Sequence, residues 1–134
     1  MYTLEEVSHL VKALCGDNYE KTSINIQKLV YFQNDIKTVK ILLDINPNYI
    51  NYQQNGSSTL ISHSRSPEMF RMLYDMGANL EIKDNLGRTP IDIIRNNLKH
   101  KIDGSLYNIE KVYEEIMKER FKQNVLDVLN EIVN

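Results

Sequence analysis

Gly77-Ala78-Asn79-Leu80-Glu81-Ile82-Lys83-Asp84-Asn85-Leu86-Gly87-Arg88-Thr89-Pro90-Ile91 is the stretch on which the fold of this 134-residue chain turns. Gly77 can take the left-handed conformation that closes a helix. Residues 78–83 read as extended. Asp84-Asn85-Leu86-Gly87 then reads as a turn with glycine in its fourth place. Thr89-Pro90 opens a short helix reaching about Leu98, with proline at the first helical position, where its missing N–H costs nothing. Upstream, Ser66-Pro67-Glu68 is a second helix start, made of a serine cap, a proline and an acid near the positive end of the helix dipole.

The pattern recurs. Sliding the chain by 31 positions sets Ile41-Leu42-Leu43-Asp44 over Met72-Leu73-Tyr74-Asp75 and Ser58-Thr59 over Thr89-Pro90. It also pairs Val39 with Phe70, Asn48 with Asn79, Gly56 with Gly87 and Leu60 with Ile91, without a gap. In the earlier unit, Val39, Ile41, Leu42 and Leu43 form a buried helical face and Asp35 is placed to cap its start. The unit is thus helix, loop, helix and a protruding hairpin-like finger. Such a unit cannot bury its apolar face alone, so neighbours must stack.

Gly77-Ala78-Asn79, followed by Asp84-Asn85-Leu86-Gly87-Arg88-Thr89-Pro90-Ile91, resembles the ankyrin repeat. The match is strong over 66–94, moderate over 35–65 and weak outside. Repeats of that family span about 33 residues, and the two missing here fall around Arg65-Ser66. The family's finger-bracing histidine is replaced by Ile61 and Asp92, and His63 and Ile94 stand where the family prefers alanine. The resemblance implies an all-α, ankyrin-like helical repeat solenoid with short finger turns and a long C-terminal helix. The chain divides as a degenerate N-terminal repeat or cap (1–33), repeats (34–98) and a loop with a terminal helix (99–134).

Towards the N-terminus, Thr3-Leu4-Glu5-Glu6 is a capping box for a helix presenting Leu4, Val7, Leu10, Val11 and Leu14 and stopping near Gly16-Asp17. Residues 24–32 lie 31 positions before the helix expected near Leu60-Ile61 and read as a first inner helix. Beyond the loop 99–105, no proline or glycine interrupts the chain from about Asn108 to Val133. A bend near Lys122-Gln123 fits the charged stretch there. Apolar residues at Val125, Leu126, Val128, Leu129, Ile132 and Val133 exceed what one face requires, so this helix reads either as an enlarged cap or as a docking or self-association helix.

Sixteen basic against eighteen acidic residues leave a net charge of -2, without the basic stripe that nucleic-acid binding needs. No apolar run reaches the ~18–20 residues of a membrane span, and the acidic N-terminus does not read as a signal peptide. The single cysteine, Cys15, cannot form an internal disulfide, and an intracellular, cytoplasmic protein is expected. Ile, Asn, Lys and Tyr supply 49 residues while Ala, Gly, Pro, Arg and Trp supply 15. That bias follows AT-rich codons and fits large DNA viruses, intracellular bacteria and several protists.

Nothing in the chain carries chemistry. Cys15 and His9 lie on different helical faces, the three histidines lack metal-ligand spacing, and there is no phosphate-binding glycine loop. Asp92 reads as a brace for the finger backbone. Arg88, Arg95, Lys99 and Lys101 form a modest basic patch, either solvated or facing an acidic partner. The expectation is a non-catalytic protein-binding module without cofactor or metal. The family resemblance implies contacts from Gln54, Asn55 and Ser57 in one finger and Lys83, Asn85, Leu86 and Arg88 in the next, with Arg65, Asn96 and Asn97 on the inner helices. Tyr52 in the earlier finger segment joins Arg65 and Arg88 as the expected strongest contacts, because Tyr and Arg dominate interface hot spots. Tyr49 fits packing or contact equally. A viral or pathogen protein engaging a host protein is the leading setting, and an assembly subunit docking through its C-terminal helix is the alternative.

Overall fold

A computed structural model describes residues 3–5 and 19–134. The capping box at Glu6, the helix through Leu14, and the Cys15–His9 pair lie outside the described residues. Among those described, the regular structure is entirely helical. The first helix, α1 (Tyr19–Lys28), continues into a π turn, Leu29–Gln33. It takes in the inner helix expected over 24–32 and ends at Asn34, which adopts the left-handed conformation with φ of 49°.

Helix α2 (Ile36–Ile45) starts as its sequence dictates: the Asp35 carboxylate accepts from the Thr38 N–H at 3.1 Å. The Ser66 hydroxyl does the same for Met69, at 3.1 Å, at the start of α3 (Pro67–Asp75). Helix α3 closes with Gly77 at φ of 104°, where the Ala78 N–H donates to the Leu73 carbonyl and the Gly77 N–H to that of Tyr74. This pair of hydrogen bonds satisfies two carbonyls that the helix end would otherwise orphan. Helix α4 (Pro90–Leu98) follows the second finger, and α5 (Ser105–Val133) ends the chain.

Two expectations change. The helix near Leu60-Ile61 is only a four-residue 3-10 turn, Leu60–His63. Ser62 and Ser64 are poor helix formers, and Pro67 holds Ser66 in an extended conformation, so the turn has no room to lengthen. The terminal helix begins three residues before Asn108 and runs through Lys122-Gln123 without a break. With no proline or glycine there, the charged stretch costs little helical propensity.

Helices α2, α3 and the first half of α5 pack side by side. Opposite them, α1 with its π turn, the 60–63 turn and α4 do the same. Val39, Leu43, Ile61, Met69, Phe70, Leu73, Ile94 and Ile109 are fully buried between the two rows. Arg95 of α4 pairs with Glu110 and lies 5.9 Å from the Tyr113 ring, fastening α4 to α5.

The 60–63 turn carries a flaw: Thr59 Oγ1, Ser62 Oγ and Ser64 Oγ are buried without a protein partner. An unmet hydroxyl costs more than the apolar atom that could replace it. Ser62→Ala is therefore expected to stabilise the protein by about 0.5–1 kcal/mol, read as a higher urea midpoint at constant slope.

Candidate interaction surface

The two fingers are tied together by side-chain amides. Asn51 accepts from the Asn79 N–H at 2.8 Å and donates to the Gly77 carbonyl at 3.1 Å. Gln53 Nε2 donates both to Ser57 of its own finger, at 2.8 Å, and to Lys83 of the next, at 2.9 Å. Nearer the tips, Asn85 Nδ2 donates to the Asn55 carbonyl at 3.0 Å. Amides offer a donor and an acceptor on one group, so Asn51, Gln53 and Asn85 tie the backbone of one finger to that of the other. This role of Asn51 and Gln53 was not anticipated. Its signal is faint, since Asn is abundant throughout the chain.

Each turn also has its own lock. In the second finger the Asp84 carboxylate accepts from the Leu86 and Arg88 N–H groups at 3.0 and 2.9 Å and from Arg88 Nε at 2.9 Å. Those bonds, with the nearby guanidinium, hold the Asp84 carboxyl below its ordinary value of 3.8. Asp92 is lowered for a similar reason: it accepts from the Thr89 hydroxyl at 2.8 Å and from the Thr89 N–H at 3.1 Å. The expected bracing of the finger by Asp92 thus takes the form of a capping contact at its foot.

A carboxyl whose folded pKa is depressed stabilises the fold above its unfolded pKa and loses that contribution as pH falls through the folded one. The finger is therefore expected to loosen below about pH 4. Protection of the Leu86 and Arg88 amides, measured as exchange relative to the intrinsic rate at each pH, should fall there, while protection at core positions such as Leu73 should not.

The expected contact residues fall into four groups. Leu86, 76% exposed, stands at the fingertip with Asn85 and Lys83, and Asn55 is exposed at the tip of the other finger, flanked by half-buried Gln54 and Ser57. Tyr52 is half-buried, its ring edge-on to Tyr49 with centroids 6.4 Å apart, and Tyr49 itself lies in the core. Arg88 is held by Asp84 at 2.8 Å. The basic patch expected around Arg88 and Arg95 is accordingly neutralised at both arginines, by Asp84 and by Glu110. Lys99 and Lys101 remain exposed.

Arg65 and Asn97 lead to a feature that sequence reasoning missed. The Arg65 guanidinium sits 5.6 Å from the centre of the Tyr31 ring and donates to the Phe32 carbonyl at 3.4 Å. Tyr31 and Phe32 meet edge to face at 5.0 Å, and Phe32 is 69% exposed. Together with Ile24, Gln27, Lys28, His63 and Asn97 they line a groove of about 340 Å³. Tyr31 and Phe32 are adjacent aromatics at the end of a helical segment, a pattern as compatible with core as with surface. Asn96 is exposed beside Asn97 on α4.

His63 closes this groove with Nε2 2.9 Å from Ser58 Oγ, and burial lowers its pKa. The groove therefore presents a neutral imidazole at neutral pH. Aromatic rings and the amide groups of Gln27 and Asn97, with the Arg65 guanidinium beside the Tyr31 ring, suit a polypeptide's side chains and backbone. Among the described residues no cluster of three or more His, Cys, Asp or Glu side chains could hold a metal, and no helix is long and apolar enough to cross a membrane. No family model matches the chain, and no curated protein or solved structure is significantly similar to it.

Proposed function

We propose that this chain is a short, divergent ankyrin-type repeat module that binds a partner protein and performs no chemistry of its own. The observation that carries this reading is the arrangement around Phe32. A largely exposed aromatic lines a groove, edge-on to Tyr31, whose ring lies 5.6 Å from the Arg65 guanidinium, in a molecule whose fingers are already cross-braced by Asn51, Gln53 and Asn85. A surface held rigid in advance loses little entropy on binding, and buried aromatic and arginine anchors carry most interface energy. Leu86, Asn55 and Lys83 at the tips extend the contact beyond the groove. The AT-rich coding bias supports a viral or pathogen protein acting on a host protein in the cytoplasm.

The test is affinity capture from host-cell lysate with the wild-type chain beside a Phe32→Ala, Tyr52→Ala, Arg65→Glu variant. Arg88 is left alone because its replacement would unlock the Asp84 turn. Circular dichroism first establishes that the variant folds. Loss of even one hot-spot contact of about 2 kcal/mol lowers affinity about thirtyfold, so a partner held by the wild type should be lost from the triple variant. Retention of the same partners by the variant overturns the reading. The assembly alternative concerns a different surface, the free end of α5.

A further inference from the structure

Helix α5 carries two apolar faces, and they point in nearly opposite directions. In its first half, Ile109 and Ile116 are buried, and Leu106, Val112, Tyr113 and Met117 pack against the core. Arg120, paired with Glu81, marks the last ion pair between this helix and the body. From 121 onward every residue is exposed. The apolar ones there are Phe121, Val125, Leu126, Val128, Leu129, Ile132 and Val133. At 3.6 residues per turn the centre of this second face is rotated about 160° from that of the first. A helix serving only to cap its own domain would keep one stripe.

Size argues for a partner. At exposures of 42% to 81%, these seven side chains present roughly 700 Å² per copy, more than the few hundred Å² usual for the patches of a monomer. Complete burial of two such faces would remove roughly 1,400 Å², inside the about 1,200–2,000 Å² buried by stable interfaces. The 160° rotation also keeps each body on the far side of its own helix, so a second copy can approach without collision.

Charge sets the direction. Lys118 and Lys122 lie on this second face, two turns and one turn before Val125, while the stretch beyond them, 123–133, carries Asp127 and Glu131 and no basic residue. Antiparallel pairing places each lysine end beside the partner's acidic half. Parallel pairing sets lysine against lysine.

We infer that residues 121–133 form a homotypic interface in which the free ends of α5 from two copies pack antiparallel, Val125 of each against Leu129 of the other. The inference stands apart from the groove reading, because no residue is shared.

Light scattering over a concentration series should show a mass rising from 15.7 kDa to twice that value. A Val125→Asp, Leu129→Asp variant should remain monomeric with an unchanged near-ultraviolet spectrum, since neither residue packs on its own domain. Asp127→Lys, on the polar side of the helix, should still dimerise. Spin labels at Glu119→Cys in a Cys15→Ser background should lie more than about 24 Å apart, the axial offset of sixteen helical residues. Wild-type protein that is monomeric up to millimolar concentration, or a dimer that survives both aspartates, overturns the interface. Labels at about 10 Å, the spacing of adjacent parallel helices, overturn its direction.

Discussion

Phe70→Ala should lower the unfolding free energy by about 3–5 kcal/mol, the largest effect expected of any single truncation here. Phe70 has no exposed surface and sits on α3, the helix packed against α2, the 60–63 turn and α5. Truncation removes the apolar transfer energy of the ring and leaves a hole that three different elements would have to collapse into. Helices α2 and α5 are fixed elsewhere, by the Asp35 cap and by the Arg95–Glu110 pair, so the hole closes only in part. A melting temperature lower by roughly 10–20 °C follows for a chain of this length, measurable by circular dichroism. Leu86→Ala is the contrast: at 76% exposure it should change stability by less than about 0.5 kcal/mol. A binding defect in that variant would then report contact rather than folding.

Gly56→Ala should cost about 2–3 kcal/mol, for two separable reasons. Gly56 has φ of +74°, a conformation that strains any L residue. Its added Cβ would also collide with the amide oxygen of Asn85. That side chain can swing away only by giving up its bond to the Asn55 carbonyl. A double-mutant cycle separates the two. In an Asn85→Ala background the collision and the bond are already gone, so Gly56→Ala should cost only the backbone strain of about 1–2 kcal/mol. A coupling of about 1 kcal/mol from denaturant unfolding is the expected result. Full additivity would mean that the two fingers do not support each other through Asn85.

The caps and turns were legible residue by residue. Asp35, Ser66-Pro67, Gly77, the Asp84–Gly87 turn and Thr89-Pro90 each act through groups within five positions in the chain, and the local sequence is all that such bonds require. Helical character and the apolar faces of α2 and α3 were legible from periodicity for the same reason. The length of the 60–63 turn was not. Its hydrophobic residues suit a helix, and its ending depends on how Ser64 through Pro67 must run to start α3.

The proposed interaction surface was legible only in part. The fingertip residues follow from the turn itself, and Leu86 and Asn55 stand exposed where the spacing placed them. Tertiary contact decided the rest. Arg65 meets the Tyr31 ring from 34 positions away, Gln53 reaches Lys83 across 30, and Arg88 is absorbed by its own turn. The sequence by itself determined where helices start, stop and turn, because those choices are made by hydrogen bonds and dihedral preferences among neighbours in the chain. Which aromatics are exposed, which amides bridge the fingers, and which apolar face of α5 is left uncovered were decided only by tertiary structure, because exposure depends on what the rest of the chain brings against a residue.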